Sequence, residues 1–191
     1  MKPNKFFTTI TSLIMALILT ACGGNNEPAP PNDGADKKTE SHEHMEMNHS
    51  SSGEVPEELE VAKDPTYPVG SKAVMHAKHM KGMDGAVATI AGAYNTTVYS
   101  VSYTPTTGGE RVEDHKWVIH EEIEDAGEEP FQPGDEVKLK ADHMKGMDGA
   151  AAVIDSAEET TVYMVDFKNT ETGKDVKNHK WVIESELSPN K

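Results

Sequence analysis

The chain has 191 residues, with 18 Lys and Arg against 33 Asp and Glu, a formal net charge of −15 and a single cysteine. That charge excludes nucleic-acid binding, which depends on Lys and Arg neutralising phosphates. It suits a solvated exterior protein, and it attracts cations weakly and without selectivity.

The N-terminus carries Lys2 and Lys5, an apolar run from Phe6 to Leu19, and then Leu19-Thr20-Ala21-Cys22. A short positive region, an apolar stretch and small residues before a cleavage point describe an export signal. The run is shorter than the roughly 20 apolar residues of a membrane span. Cys22 stands where a bacterial lipobox places its cysteine. Residues 1–21 are therefore expected to be a lipoprotein signal peptide, and Cys22 the lipid-modified first residue of the exported chain. The expected location is the extracytoplasmic face of the cell membrane. An acylated Cys22 leaves no thiolate for a metal site, so His, Met, carboxylate or backbone would have to supply the ligands.

Residues 22–64 are rich in Pro, Asn, Ser, Glu and Lys, with few bulky apolar side chains. Such a composition does not offset the entropy of ordering, and predicts a disordered tether. Within it lie His42, His44, Met45, Met47 and His49. A His-rich tract in an otherwise plain segment is a metal-binding composition.

Two units follow, residues 65–125 and 130–188, each near the lower size limit for an independent core; they are expected to pack together or brace each other. In the second unit, Val137–Ala141 alternates apolar and polar, Ala150–Ile154 is a short apolar run, and Thr160–Phe167 is β-branched and aromatic. These read as strands. Lys168–Gly173 reads as a turn and Trp181–Ile183 as a closing strand. The first unit repeats the pattern at Lys72–Ala77, Ala86–Ile90, Thr96–Tyr103, Thr106–Gly109 and Trp117–Ile119. An all-β fold is expected, as two tandem SH3-like barrels with no helix longer than a turn.

The repeat itself carries the chemistry. His79–Ile123 returns 64 residues later as His143–Leu187, and without a gap the copies share 25 of 45 positions. Both open HMKGMDGA and close on His-Lys-Trp-Val-Ile. His79, Met80 and Met83, and their counterparts His143, Met144 and Met147, lie in loops whose glycines permit tight turns. His115 and His179 precede Trp117 and Trp181 by two, the spacing of one strand face. Imidazole with thioether is the ligand set of Cu(I), and imidazole with carboxylate suits Cu(II) or Zn(II). Copper is thus the expected cofactor, in either oxidation state. A plainer reading stays open: Met fills irregular core gaps, the histidines can be core-edge residues, and Trp-Val-Ile can be core strand. No nucleophile–base pair, phosphate loop or HExxH is present, so no enzyme is expected.

Two tandem copies running from HMKGMDGA to HKWV, behind a lipobox and a His/Met-rich linker, resemble the YdhK-type bacterial lipoproteins, whose repeat is a domain of unknown function. The resemblance implies an SH3-like β fold and an extracytoplasmic location. It also implies a link to copper, since members lie among copper-resistance determinants in Gram-positive bacteria and one staphylococcal member is regarded as a surface copper-binding lipoprotein. It carries no ligand motif to transfer. The expected function is copper sequestration at the cell surface, through the tether run and through His79/Met80/Met83/His115 and His143/Met144/Met147/His179. The expected partners are the membrane, through Cys22, and a copper exporter or the cell wall. The rival is a wall-, carbohydrate- or peptide-binding module with Tyr99, Tyr163, Trp117 and Trp181 as its groove. A third reading makes the barrels spacers and leaves all metal chemistry to the tether.

Overall fold

The computed structural model describes residues 49–191; Cys22, the signal segment and the tether residues His42, His44, Met45 and Met47 lie outside the described residues. Among the described residues there are eight strands and two single-turn 3-10 segments, with no α-helix. The strands are β1 (Glu60–Val61), β2 (Lys72–Met75), β3 (Val87–Tyr103), β4 (Val112–Ile119), β5 (Glu136–Lys138), β6 (Ala151–Lys168), β7 (Asp175–Ile183) and β8 (Leu187–Pro189). The 3-10 turns are His120–Glu122 and Glu184–Glu186. The fold is all-β and antiparallel, as the alternation and β-branched content predict.

Two pairs of expected strands are in fact single long ones. Ala86–Ile90 and Thr96–Tyr103 lie within β3, and Ala150–Ile154 and Thr160–Phe167 lie within β6. The segments between them continue the ladder through two β-bulges, one between Ile90 and Gly92 and one at Ser100/Val101 opposite Ser156/Ile154. A bulge adds a residue without ending the ladder. Gly92 sits at the first of them because a Cβ there would meet the Tyr94 ring at 2.7 Å.

β3 and β6 pair along their whole length, and Thr96 lies opposite Thr160, its own counterpart 64 residues on. The two repeats are thus related by an approximate two-fold axis through this pair. Two further pairings join the repeats. β2 pairs with β3 and with β8, while Ile123, just past the first 3-10 turn, bridges to Leu139 in the second repeat. Hydrogen bonding runs through one eight-stranded sheet of order β5-β6-β3-β2-β8, with β1 and β4 joined to β3 and β7 joined to β6.

Each core is built from both repeats. Ala73, Met75, Met83 and Ile90 pack with Tyr163, Val165, Phe167 and Leu187. Tyr99, Val101, Tyr103 and Ile123 pack with Leu139, Met147, Ala152 and Ile154. A third cluster on the axis joins Val98, Trp117 and Ile119 to Val162, Trp181 and Ile183. The bracing expected of two marginal units takes this form: neither repeat encloses its own apolar face. Residues of the aromatic rival groove are consumed here, since Tyr99, Tyr163 and Trp181 are fully buried and Trp117 nearly so.

Candidate metal centre

The exchange of strands brings the front loop of one repeat against the 3-10 turn of the other. His79 follows β2, whose partner β8 begins just past Glu186, so the His79 Nε2 lies 2.7 Å from Glu186 Oε1. The equivalent pair is His143 Nε2 and Glu122 Oε1 at 2.9 Å. The carboxylates are themselves held from behind. Glu186 Oε2 accepts from the Trp117 indole and the Ile183 backbone N–H, both at 3.1 Å. Glu122 Oε2 accepts from the Trp181 indole at 3.1 Å and the Ile119 backbone N–H at 3.3 Å. The Lys116–Trp117 and Lys180–Trp181 peptides are both cis.

A carboxylate only accepts, so it keeps the proton of each ring on Nε2 and turns Nδ1 outward with its lone pair when the ring is neutral. Both Nδ1 atoms are buried and have no hydrogen-bond partner. His115 on β4 and His179 on β7 each present a buried, unpartnered Nε2. Buried polar atoms are almost always paired, so four orphan imidazole nitrogens in one place require a reason.

The place is a cleft of about 800 Å³ lined by His49, His79, Met80, His115, His143, Met144 and His179, with Lys116, Lys140 and Lys180 among the other lining residues. The His115 and His143 rings lie 6.2 Å apart, centroid to centroid, and His49 and His179 lie 6.1 Å apart. Burial pushes His115 down to about 4, helped by the charges of His143, His79 and His49. Burial pushes His179 down to about 3, helped by His79, His49 and His143 and opposed by a hydrogen bond to the His49 backbone. Both rings therefore stay neutral, with lone pairs available. Burial alone would raise the Glu122 carboxyl, but the facing His143 and the His143, Trp181 and Ile119 hydrogen bonds outweigh it and hold it below the usual range. Glu186 is lowered in the same way, its burial outweighed by His79, Ile183 and Trp117. The Met144 sulfur lies 3.9 Å from the Tyr103 hydroxyl.

Of the residues the sequence singles out, seven meet in this one cleft. Met83 and Met147 do not. Both are fully buried in the two mixed cores, where they plug the strand interface. The ring pairing also crosses the repeats, since His115 meets His143 and not His79. Among the described residues no set of three or more His, Cys, Asp or Glu side chains converges closely enough to hold a metal ion. His76 and His120, which have no counterpart His, are engaged elsewhere: His76 with Ser188 at 2.7 Å, and His120 with Tyr99 at 2.8 Å and Gly127 at 2.7 Å.

Glu122 and Glu186 escape a sequence reading. Their signal was present, because both are identical between the repeats, but 33 acidic residues made any carboxylate look incidental.

The duplicated segments match the family described as a protein of unknown function, DUF1541, at residues 69–120 and 133–184. The chain belongs to the DUF1541 family. It is 56% identical over 188 residues to the uncharacterized protein YdhK of Bacillus subtilis strain 168, covering 98% of this chain and 91% of that protein. A crystal structure of that Bacillus subtilis DUF1541 protein superposes with a TM-score of 0.74 at 62% identity, covering 77% of this chain and all of the other. The solution structure of the YdhK C-terminal domain gives 0.62 at 64% identity, covering 64% of this chain and 93% of the other. Among the described residues no helix is long and apolar enough to cross a membrane.

Proposed function

We propose that this protein is an exported lipoprotein, anchored through Cys22 on the outer face of the cell membrane, that binds copper and so limits its toxicity. The observation that carries the reading is the set of four buried, unpartnered imidazole nitrogens at His79, His115, His143 and His179. Two of these rings have their other nitrogen fixed by a carboxylate, which is the support a metal-ligating imidazole receives in its outer shell.

The donor set favours Cu(I). Two thioethers, Met80 and Met144, border the same cleft as the neutral imidazoles, and soft sulfur with imidazole selects Cu(I). Structural Zn(II) asks for four tetrahedral ligands, whereas Cu(I) accepts two or three. Paired imidazoles with a neighbouring thioether suit the smaller number. When bound, copper would be held as a closed-shell ion and kept from redox cycling. The protein's part is to exclude water, keep the His115 and His179 rings neutral and aim the lone pairs. The tether run His42, His44, Met45, Met47 would capture ions ahead of the cleft. No enzymatic step is part of this reading. Buried Tyr99, Tyr163, Trp117 and Trp181 leave the wall-binding rival without an exposed aromatic face.

The test is Cu(I) titration, by competition against a chromophoric chelator, of residues 22–191 with Cys22→Ser. Tight binding that drops in the H115A/H179A double variant is the expected result. Only weak, nonspecific association in the parent protein would overturn the reading. Export is tested separately: Cys22→Ala should release the protein from the membrane fraction, and retention there would refute the anchor.

A further inference from the structure

We infer that the two halves of the cleft are unequal copper sites, and that His49 enters the His79/His179 half as an additional ligand on a strap. This rests on the copper reading above and goes beyond it, because the duplication by itself predicts two equal halves.

The strap is residues 49–56. It is pinned to β7 by hydrogen bonds that run both ways. The Ser51 N–H donates to Lys177 O at 3.0 Å, and the Lys177 N–H donates to the Ser50 hydroxyl at 2.9 Å. The Ser51 hydroxyl donates to Asn178 O at 2.6 Å, and the Asn178 amide donates to Ser51 O at 3.3 Å. Lys180 closes the far end on the Glu54 carbonyl. The approach is tight enough to need glycine: Gly53 has φ +82° and a Cβ there would lie 2.9 Å from the Asn178 side chain.

This strap sets His49 on the rim of the cleft with its ring centroid 6.1 Å from that of His179, inclined at 68°. Two imidazoles sharing one metal through bonds of about 2 Å place their centroids about 6 Å apart. The His49 backbone also holds the His179 ring, leaving Nε2 as the unpartnered nitrogen. Small residues at 50–53 let the chain lie flat, and His49 is the last member of the His/Met run.

Nothing equivalent covers β4 among the described residues. The counterpart of Asn178 is Asp114, whose carboxylate cannot donate as the Asn178 amide does to Ser51 O. His115 is accordingly only partly buried, where His179 is buried. The open half also differs in its thioether, since Met144 is engaged by Tyr103 and the counterpart of Tyr103 is Phe167, which has no hydroxyl. The covered half therefore retains its ion, and the open half exchanges it.

The experiment uses residues 22–191 with Cys22→Ser and with His42, His44, Met45 and Met47 changed to Ser, so that the upstream run is silent. The protein is loaded with Cu(I) and mixed with excess chelator in a stopped-flow instrument. Two release phases at least tenfold apart are expected. H49A should convert the slow phase to a fast one, and H115A should remove the fast phase alone. The H49A backbone keeps its hold on His179, and the amide NMR spectrum checks that the strap stays docked. In parallel, the ring nitrogen resonance of His49 should shift on adding Cu(I). A slow phase that survives H49A, or a His49 ring signal unmoved while copper is bound, overturns the inference and leaves copper binding intact. Absence of cleft-bound copper in the parent protein overturns both.

Discussion

Replacing Glu122 with Ala is the sharpest probe of how the cleft is held. The carboxylate is 8% exposed at its side chain and satisfies three donors: the Trp181 indole, the Ile119 backbone N–H and His143 Nε2. Trp181 and Ile119 are fully buried, so water does not replace the lost acceptor. Each buried donor left unsatisfied costs about 1–3 kcal/mol, so losing the acceptor of all three costs at least about 3 kcal/mol, a large share of the roughly 5–15 kcal/mol that stabilises a typical domain.

Glu186→Ala removes the same three contacts in the other half, but its side chain is 17% exposed and water reaches part of the gap. About 2–3 kcal/mol is expected there. Urea unfolding followed by tryptophan fluorescence reads both, through the midpoint at constant slope. A cost below about 1 kcal/mol for E122A, or a larger cost for E186A than for E122A, would refute the reasoning. Both variants should also weaken copper about 10- to 100-fold in whatever protein remains folded.

Acid should destabilise the metal-free protein early. His115 and His179 are held neutral down to about 4 and about 3, against about 6.5 in the unfolded chain. The unfolded state therefore takes up protons first. The contribution of these rings is complete above 6.5 and declines by about 1.4 kcal/mol per pH unit per ring below it. Glu122 and Glu186, lowered from 4.5, add a further loss as pH falls below that value. Stability measured by urea at pH 7, 6 and 5 should fall stepwise, and a flat profile would contradict the burial of neutral imidazoles. Met83→Ala and Met147→Ala should each cost about 2–5 kcal/mol through the cavity they leave, with Cu(I) stoichiometry unchanged; loss of a copper equivalent in folded protein would make these sulfurs ligands. A peptide of residues 65–125 alone should sediment as a homodimer, each copy supplying the strands the other repeat now supplies. A folded monomer would show that one repeat closes its own core.

The strand content was legible because β-branched and aromatic runs alternate with turns, and the duplication was legible by inspection. The continuity of β3 and β6 was not. Nothing in the composition of 91–95 or 155–159 marks them as strand, and only pairing against a partner strand carries each ladder through, with a bulge at Ala91 and another at Asp155. The exchange of strands was equally hidden, since periodicity records which face of a strand is apolar but not whose core it enters. That is also why His115 was expected beside His79 and lies instead beside His143. Within each repeat Met80 and Met83 look alike, three residues apart in one loop, yet one borders the cleft and the other fills a core.

Where the two repeats differ, the structure shows what each position has to do. Tyr99 meets His120, and its counterpart Tyr163 meets Glu184; the hydroxyl keeps a partner although the partner's chemistry changes. Such positions are constrained by packing and tolerate any side chain that answers the hydrogen bond. The donor residues of the cleft and their supports show no such latitude. His79, Met80, His115, Trp117 and Glu122 are each the same residue as their counterparts 64 positions on, and they belong to three different elements. A purely structural duplicate would need the indole and the carboxylate to match as a pair, but not the outward nitrogen of His79 or the thioether beside it. What is identical on both sides is therefore the donor set together with its support. Because each half draws its loop from one repeat and its 3-10 turn from the other, neither copy can lose its cleft residues without damaging both halves.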